Sequence, residues 1–420
     1  MRDIKIGCVA DDFTGASDIA SFFRQAGMET LLINELPTEN TTISEEIQCV
    51  VIALKTRTIE RDKAVGQSMD AFRWLDGIGS QKFYFKYCST FDSTSEGNIG
   101  PVIDAVMDAF DIPYTLLCPS LPVNGRTVKR GQIYVGNVLL HESHMKDHPL
   151  TPMTKSSIPE LMKEQGKYRC EVIDESMTES HALILKQLCQ QNKNRFYLVP
   201  DYYQDEHGIN IAKAFSECRF FTGGSGLGGA LAQVMKQSGQ DNNVQTHDMS
   251  TEGKGIVLAG SCSAVTLKQI ADFKEKGYPS YRIEPQKLLT GEVTAETIWE
   301  WVEQQTTTPL IYSSASAIEI VENQTYGITK IASAIESLIS SLAVTAAANG
   351  RSRIIVAGGE TSGAVTKALG YQTFYILDSI APGVPVMIPV EAPSVRLILK
   401  SGNFGQVDFF DRAVVMTEKE

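Results

Sequence analysis

Ile354-Ile355-Val356-Ala357-Gly358-Gly359-Glu360-Thr361-Ser362-Gly363-Ala364 is an apolar run that ends in paired glycines, a carboxylate and two hydroxyls. This order predicts a buried strand, a tight turn and a helix beginning near Gly363. Bare backbone N–H groups and a helix N-terminus then converge at the carboxyl end of a strand, which is an anion site. The common phosphate loop ends in Gly-Lys-Ser/Thr, and this stretch does not. Its chemistry points to phosphate without saying whose.

Working outward, strand-like and helix-like patterns alternate along most of the chain. Ile4–Ala10, Cys49–Leu54, Phe83–Tyr87, Tyr114–Cys118, Phe196–Val199 and Arg219–Phe221 read as strands. Ala16, Ile19, Ala20 and Phe23 recur at helical spacing after the first, and Arg61–Trp74 and Ile99–Phe110 read as further helices. The segment Gln237–Lys254 is polar and aperiodic, the best linker in the chain. Alternation restarts with Ile256–Ala259, a helix from about Ala264, Leu310–Tyr312, a long helix around Ile328–Ala348, and Ile354–Ala357. The expected fold is α/β: two α/β domains, residues 1–240 and 254–420, with mostly parallel sheets covered by helices and the active site in the cleft between them. No internal repeat is evident.

Bulk composition narrows the classes. A length of 420 residues suits two domains, and 43% hydrophobic with 21% charged residues is globular. A net charge of −12 argues against a nucleic-acid partner, which would need clustered Lys and Arg. The first residues enter a strand pattern without the apolar core of a signal peptide, and no apolar stretch reaches the roughly 18 residues that span a bilayer. Eight cysteines occur with no C-x-x-C pair, which suits free thiols in a cytoplasm.

In open α/β sheets ligands bind beyond the carboxyl ends of strands, so the polar residues after each apolar run carry the function. Asp11-Asp12-Phe13-Thr14-Gly15 follows the first strand. A helix cap is the plain reading, but an acid there can also act as general base toward a hydroxyl, and Asp12 lies further past the strand than Asp11. Arg57, in Lys55-Thr56-Arg57-Thr58, sits at the same sheet edge, where a guanidinium can clamp a carboxylate. Lys86-Tyr87-Cys88-Ser89-Thr90-Phe91-Asp92-Ser93-Thr94 adds hydroxyls and opposite charges, suited to a small hydroxylated anion. His141, His144 and His148 have spacings that could put metal ligands on one helical face, though no fourth ligand stands out. His148 could instead face a substrate. In the second half, Gly260-Ser261-Cys262-Ser263 and Ser401-Gly402-Asn403-Phe404-Gly405 are further Gly-rich strand ends that allow a nucleotide close approach.

Together Ala10–Gly15, Lys86–Gly97, Pro122–Arg126, Thr222–Gly226, Gly260–Ser263, Gly358–Gly363 and Ser401–Gly405 resemble the four-carbon acid sugar kinase family, in the family's order and over the whole length. Within it, Lys86–Pro101, Pro122–Val128 and His148–Thr154 are most similar to the 3-oxo-tetronate branch. The resemblance implies ATP-dependent phosphorylation of the 4-hydroxyl of a four-carbon sugar acid, with the acid on the N-terminal domain and ATP on the C-terminal one. It implies a sugar-acid site of Asp12, Arg57, Lys86, Tyr87, Cys88 and Ser89, and a nucleotide site of Ser261, Gly358, Gly359, Glu360, Thr361 and Gly402.

The expected mechanism has Arg57 and Lys86 holding the substrate carboxylate and Asp12 deprotonating the 4-hydroxyl. The Gly358-Gly359 amides cradle ATP, with Mg²⁺ bridging its phosphates and Glu360 nearby. Closure about residues 240–254 would exclude water. No membrane partner is expected, and a homodimer is left open. The runner-up is a threonate or erythronate kinase of the same family. Rivals from other classes are a non-catalytic sugar-acid sensor and a nicotinamide-dependent dehydrogenase. For the latter, Gly223–Gly229 (GGSGLGG) supplies Gly224-x-Gly226 but no Gly at the required later position after a convincing ribose-binding context.

Overall fold

The computed structural model describes residues 3–38, 41–148, 151–174, 195–237, 247–261, 263–313 and 328–419. The chain divides into two units, Met1–Gln245 and Thr246–Glu420. Residues 238–246 of the expected linker, and Cys262 of the Gly260–Ser263 turn, lie outside the described residues.

The strands of the first unit are β1 (Ile6–Ala10), β2 (Thr30–Asn34), β3 (Cys49–Ala53), β4 (Lys82–Lys86), β5 (Tyr114–Cys118), β6 (Arg126–Lys129), β7 (Gln132–Val135), β8 (Val138–Leu139), β9 (Arg169–Ile173), β10 (Phe196–Pro200) and β11 (Phe220–Gly223). Its main sheet runs β2-β3-β1-β4-β11-β5-β10-β9, parallel throughout. Strands such as Cys49-Val50-Val51-Ile52-Ala53 are buried at every position, as continuous apolar runs must be when helices cover both faces. The helix Phe13–Gln25 buries Ile19, Ala20 and Phe23 on one side, the stripe that the periodicity predicts. β6, β7 and β8 form a separate antiparallel ribbon.

The second unit contains β12 (Gly255–Ala259), β13 (Ser280–Arg282), β14 (Leu310–Tyr312), β15 (Arg353–Ala357), β16 (Thr373–Ala381), β17 (Val384–Pro389) and β18 (Arg396–Lys400). Its order is β13-β14-β12-β15-β18-β17-β16, parallel from β13 to β18 and antiparallel beyond. Its core gathers Val257, Ile355, Leu377, Val386, Ile398 and Phe410.

Both units open with one topology. The first strand lies inside, the second comes last in the unit's own strand order, the third lies between them, and the fourth lies on the other side of the first. The sequence shows no repeat, yet β2-β3-β1-β4 and β13-β14-β12-β15 are the same arrangement. The crevice where strand order reverses is thus at β1/β4 in one unit and β12/β15 in the other, both being ligand-binding positions of α/β sheets.

Two expectations are corrected. The helix after β15 spans Gly359–Leu369 rather than beginning near Gly363, because Gly358 at φ +131° makes the whole turn. Glu360 is therefore in the first helical turn, where a carboxylate suits the positive helix end. Secondly, the helix segment Lys330–Ala348 is long and apolar enough to cross a membrane by length and composition. Its Leu338, Ile339, Leu342, Ala343 and Ala346 are nevertheless buried within the protein.

Candidate functional site

In the first unit the turn after β1 is fixed by Asp12, which caps the helix Phe13–Gln25 with Oδ1 accepting from Gly15 N at 2.8 Å. Gly15 is required here, since a Cβ would stand 2.4 Å from Asp12 Oδ1 and 3.2 Å from Lys86 Nζ. Arg57 crosses from the loop after β3 and donates Nε and Nη2 to Asp11 at 3.0 and 2.8 Å. The same Nη2 lies 3.0 Å from Asp12 Oδ1, and Nη1 lies 3.8 Å from Asp92 Oδ2. Asp11 is 5% exposed and Asp12 33%, so Asp12 is the acid that solvent reaches. Burial opposes charge on Arg57, but Asp11 and Asp12 outweigh it and hold the guanidinium more firmly protonated than usual.

Lys86, the last residue of β4, is 4% exposed. Its Nζ donates to Tyr87 O at 3.2 Å and lies 3.7 Å from Asp18 Oδ2. Asp18 also accepts from the Ser225 hydroxyl. Burial pushes the Asp18 carboxyl up, while Lys86 and Ser225 hold it back. The next turn is strained: Phe91 (φ 65°) and Asp92 (φ 32°) are left-handed without being glycine. Such a conformation costs about 1–3 kcal/mol and persists only where surroundings enforce it. The Phe91 ring is buried with its centroid 5.5 Å from that of Tyr87, and Thr90 Oγ1 donates to Asp92 Oδ1 at 2.7 Å.

Asp12, Arg57 and Lys86 thus come together as the sequence predicts, on three neighbouring strand ends. Arg57 already makes its bidentate clamp with Asp11, a pairing the sequence did not reveal. Tyr87 is not brought into this cluster through its side chain, which is buried with its hydroxyl 3.2 Å from Thr222 Oγ1. Cys88 lies 3.0 Å from Thr90 Oγ1, and burial pushes its thiol up to about 12. Ser89 is half-buried on the same turn. Sequence reading passed over Asp18, seven residues after Asp11 on the buried helix side, and Asn98, whose amide gathers the Arg57 loop.

The histidines do not form a metal face. His141 and His144 lie in short 3₁₀ turns, and His141 Nδ1 is 2.7 Å from Ser156 Oγ. His148 Nδ1 accepts from Thr151 N at 3.1 Å. Among the described residues no group of three His, Cys, Asp or Glu could hold a metal ion.

In the second unit three loops meet at the start of the helix Gly359–Leu369. A Cβ on Gly260 would lie 2.3 Å from Thr361 Oγ1, one on Gly358 2.8 Å from it, and one on Gly402 2.5 Å from Ser261 Oγ. Glycine at each contact lets the loops after β12, β15 and β18 close together. Gly359, by contrast, has open space where a Cβ would stand, and both it and Glu360 are exposed. Ser263 caps the helix Ala264–Glu275 and donates to Gly402 O at 2.5 Å. Lys400, 1% exposed, supports the third loop by donating to Thr266 Oγ1, Ser401 O and Gly402 O at 3.0–3.2 Å. Burial pushes its amine down to about 8.

The Gly223–Gly229 run has a different use. Gly229 completes the Gly-x-Gly-x-x-Gly spacing, but a Cβ on Gly224 would lie 2.4 Å from Pro119 O, on Gly226 2.6 Å from Ser120 O, and on Gly229 2.9 Å from Phe22 Cδ1. Protein, not open space, fills the approach to these glycines, and the dehydrogenase reading loses its motif.

Each half of the chain resembles known proteins. Residues 6–231 match the model of a sugar-binding N-terminal domain and residues 256–410 that of a nucleotide-binding C-terminal domain. A 3-oxo-tetronate kinase of Salmonella typhimurium is 44% identical over 98% of this chain and 98% of its own length. One from Escherichia coli K12 is 42% identical over 90% of this chain and 99% of its own. A solved structure from Salmonella typhimurium LT2, described as a tRNA synthase, superposes with a TM-score of 0.91 at 43% identity, covering 97% of this chain and 98% of that one.

Proposed function

The chain belongs to the four-carbon acid sugar kinase family, and from that premise we propose that it transfers the γ-phosphoryl group of ATP to the 4-hydroxyl of 3-oxo-tetronate. The observation that supports this most is the meeting of three Gly-bearing loops at one helix N-terminus, with open space at Gly359. Backbone donors converging there suit a phosphate chain. A nucleic-acid substrate would sit poorly with a net charge of −12.

On this reading Ser261, Gly358, Gly359, Thr361 and Gly402 cradle ATP, with Glu360 beside its phosphates. Mg²⁺ typically binds through one or two carboxylates plus phosphate oxygens, so a three-ligand protein cage is unnecessary and Glu360 is the carboxylate at hand. When bound, the ion supplies neutralisation of phosphate charge. Asp12 orients the 4-hydroxyl and takes its proton. The freed oxygen bonds to the γ-phosphorus as the bond to the bridging oxygen breaks, and ADP leaves with that electron pair. Arg57, held by Asp11, sets the position of Asp12 and offers Nη1 to the acid. Lys86 braces the turn from below. Six described cysteines are free, which fits the cytoplasmic location included in this proposal.

The test is a coupled ADP-release assay over four-carbon sugar acids and their 3-oxo forms, including threonate and erythronate. The 3-oxo acid is expected to give the highest kcat/KM. ADP release with none of them would refute the proposal.

A further inference from the structure

The loop after β18 is pinned from beneath by its carbonyls. Lys400 Nζ donates to Ser401 O at 3.2 Å and to Gly402 O at 3.1 Å. Gly402 O also accepts from Ser263 Oγ at 2.5 Å and Thr266 Oγ1 at 3.0 Å. Further along, Gln269 Nε2 donates to Phe404 O and Gln406 O at 3.1 and 2.8 Å. Lys400, Thr266 and Gln269 are buried, so four carbonyls of one short loop turn toward the interior. A trans peptide carries its N–H opposite to its C=O. The amides of Gly402, Asn403, Gly405 and Val407 therefore face outward, on residues that are half-buried or exposed. Outward N–H groups gathered on a turn make a concavity for an anion.

Lys400 stands under the start of this loop as an ammonium with three donors. Thr266 Oγ1, Ser401 O and Gly402 O are three acceptors, all within 3.2 Å. A neutral amine has two donors and would release one of them. The arrangement thus fits the charged form, yet each partner is neutral, as is the Phe409 ring 5.8 Å from Nζ. On the helices that supply Thr266 and Phe409, Asp272 and Asp411 pair with Lys276 at 3.1 and 3.0 Å. The other charged side chains there (Lys268, Lys274, Glu275, Arg412) do not shift Lys400, nor do Glu360 and Lys367 of the helix after β15, whose Ala357 is its strand neighbour. A buried cation without a counter-charge is unfavourable, and burial alone pushes this amine down to about 8.

We propose that Lys400 is the positioning residue of the nucleotide site: it holds Ser401 and Gly402 so that the outward amides face the ATP phosphates, whose negative charge completes an otherwise unpaired buried cation. ATP binding and protonation of Lys400 are then linked, each favouring the other to the same extent. The inference rests on the nucleotide-binding reading of the second unit and adds to it a residue that acts through the loop without touching the ligand.

The test is titration calorimetry of the full-length protein with ATP–Mg²⁺, without sugar acid, in buffers of different ionisation enthalpy. At pH 8 wild type should take up a net fraction of a proton on binding. From pH 7 to 9.5 its affinity should fall, by up to about tenfold for each unit that ATP adds to the Lys400 value. Lys400→Met should bind about tenfold more weakly at pH 7, with no proton uptake and a flat profile. Lys400→Arg, which stays charged throughout, should recover affinity and keep the flat profile. A lysine that only supported the fold would leave proton uptake at zero in wild type. That result would overturn the proposal, as would equal affinities of wild type and Lys400→Met at pH 7, or the same uptake in both. Should the methionine variant not fold, the buffer comparison on wild type alone decides. ATP binding without these signatures would remove Lys400 from the role and leave the nucleotide site standing; no ATP binding by wild type would sink both.

Discussion

Asp12 has two tasks at one position, capping a helix and facing solvent beside Arg57. Asn keeps an acceptor for Gly15 N but cannot take a proton. Asp12→Asn is therefore expected to lower kcat by roughly 10²–10⁴, while thermal shift with ATP stays as in wild type; a loss of only a few fold would remove Asp12 from the base role. Cys88 sits on the neighbouring turn, but with its thiol pushed up to about 12 it is no thiolate nucleophile at neutral pH. Iodoacetamide at pH 8 should leave Cys88 in the folded protein unmodified while free glutathione is consumed, and peptide mass mapping would detect the contrary. Asp12, Arg57 and Lys86 were legible because each follows an apolar run at a strand end. Asp18 and Asn98 were not, since a buried acid inside a helix and an Asn before one look like ordinary helical residues until their partners, 207 and 42 positions away, are known.

The elements that carry these residues make their own claims. At Gly359 the backbone is helical and no atom lies within 4 Å of an added Cβ. Gly359→Ala should leave stability unchanged or raise it by up to about 1 kcal/mol, yet raise KM for ATP severalfold because the methyl enters the phosphate space; unchanged KM would move the phosphates elsewhere. The end of β18 yields a pH prediction. Burial lowers the folded-state value of Lys400 from 10.5 to about 8, so between those values the unfolded chain binds more protons and stability rises with pH. In chemical denaturation from pH 7 to 9.5, wild type should gain about 2 kcal/mol relative to Lys400→Met. A flat difference would mean that the amine keeps its charge throughout. The pattern β15–turn–helix was legible from its apolar run and paired glycines. The start of its helix was misread by four residues, because Glu360-Thr361-Ser362 resembles loop composition while Gly358 alone makes the turn.

Over the whole molecule the two units each repeat a four-strand arrangement that sequence similarity no longer displays. Only the pattern of buried and polar positions has to be kept for that topology, so side-chain identities diverge freely. If the acid and ATP belong to separate units, hydrogen exchange on the full chain should resolve them: the sugar acid slows exchange near residues 11–18 and 56–98, and ATP–Mg²⁺ slows it near 260–266 and 358–363. Protection by both ligands in one unit alone would contradict the division. β11 carries one more consequence, for the history of each newly made chain. It lies between β4 and β5, yet it is made last of the three, β5 ending at Cys118 and β11 beginning at Phe220. On the ribosome the first sheet must wait in two pieces, each with an open parallel edge, until Phe220–Gly223 emerges. Open edges recruit other chains, so the newborn protein passes through a long sticky adolescence that ends only when Gly223, whose Cβ would strike Cys118 O at 2.0 Å, slides into a slot no other residue fits.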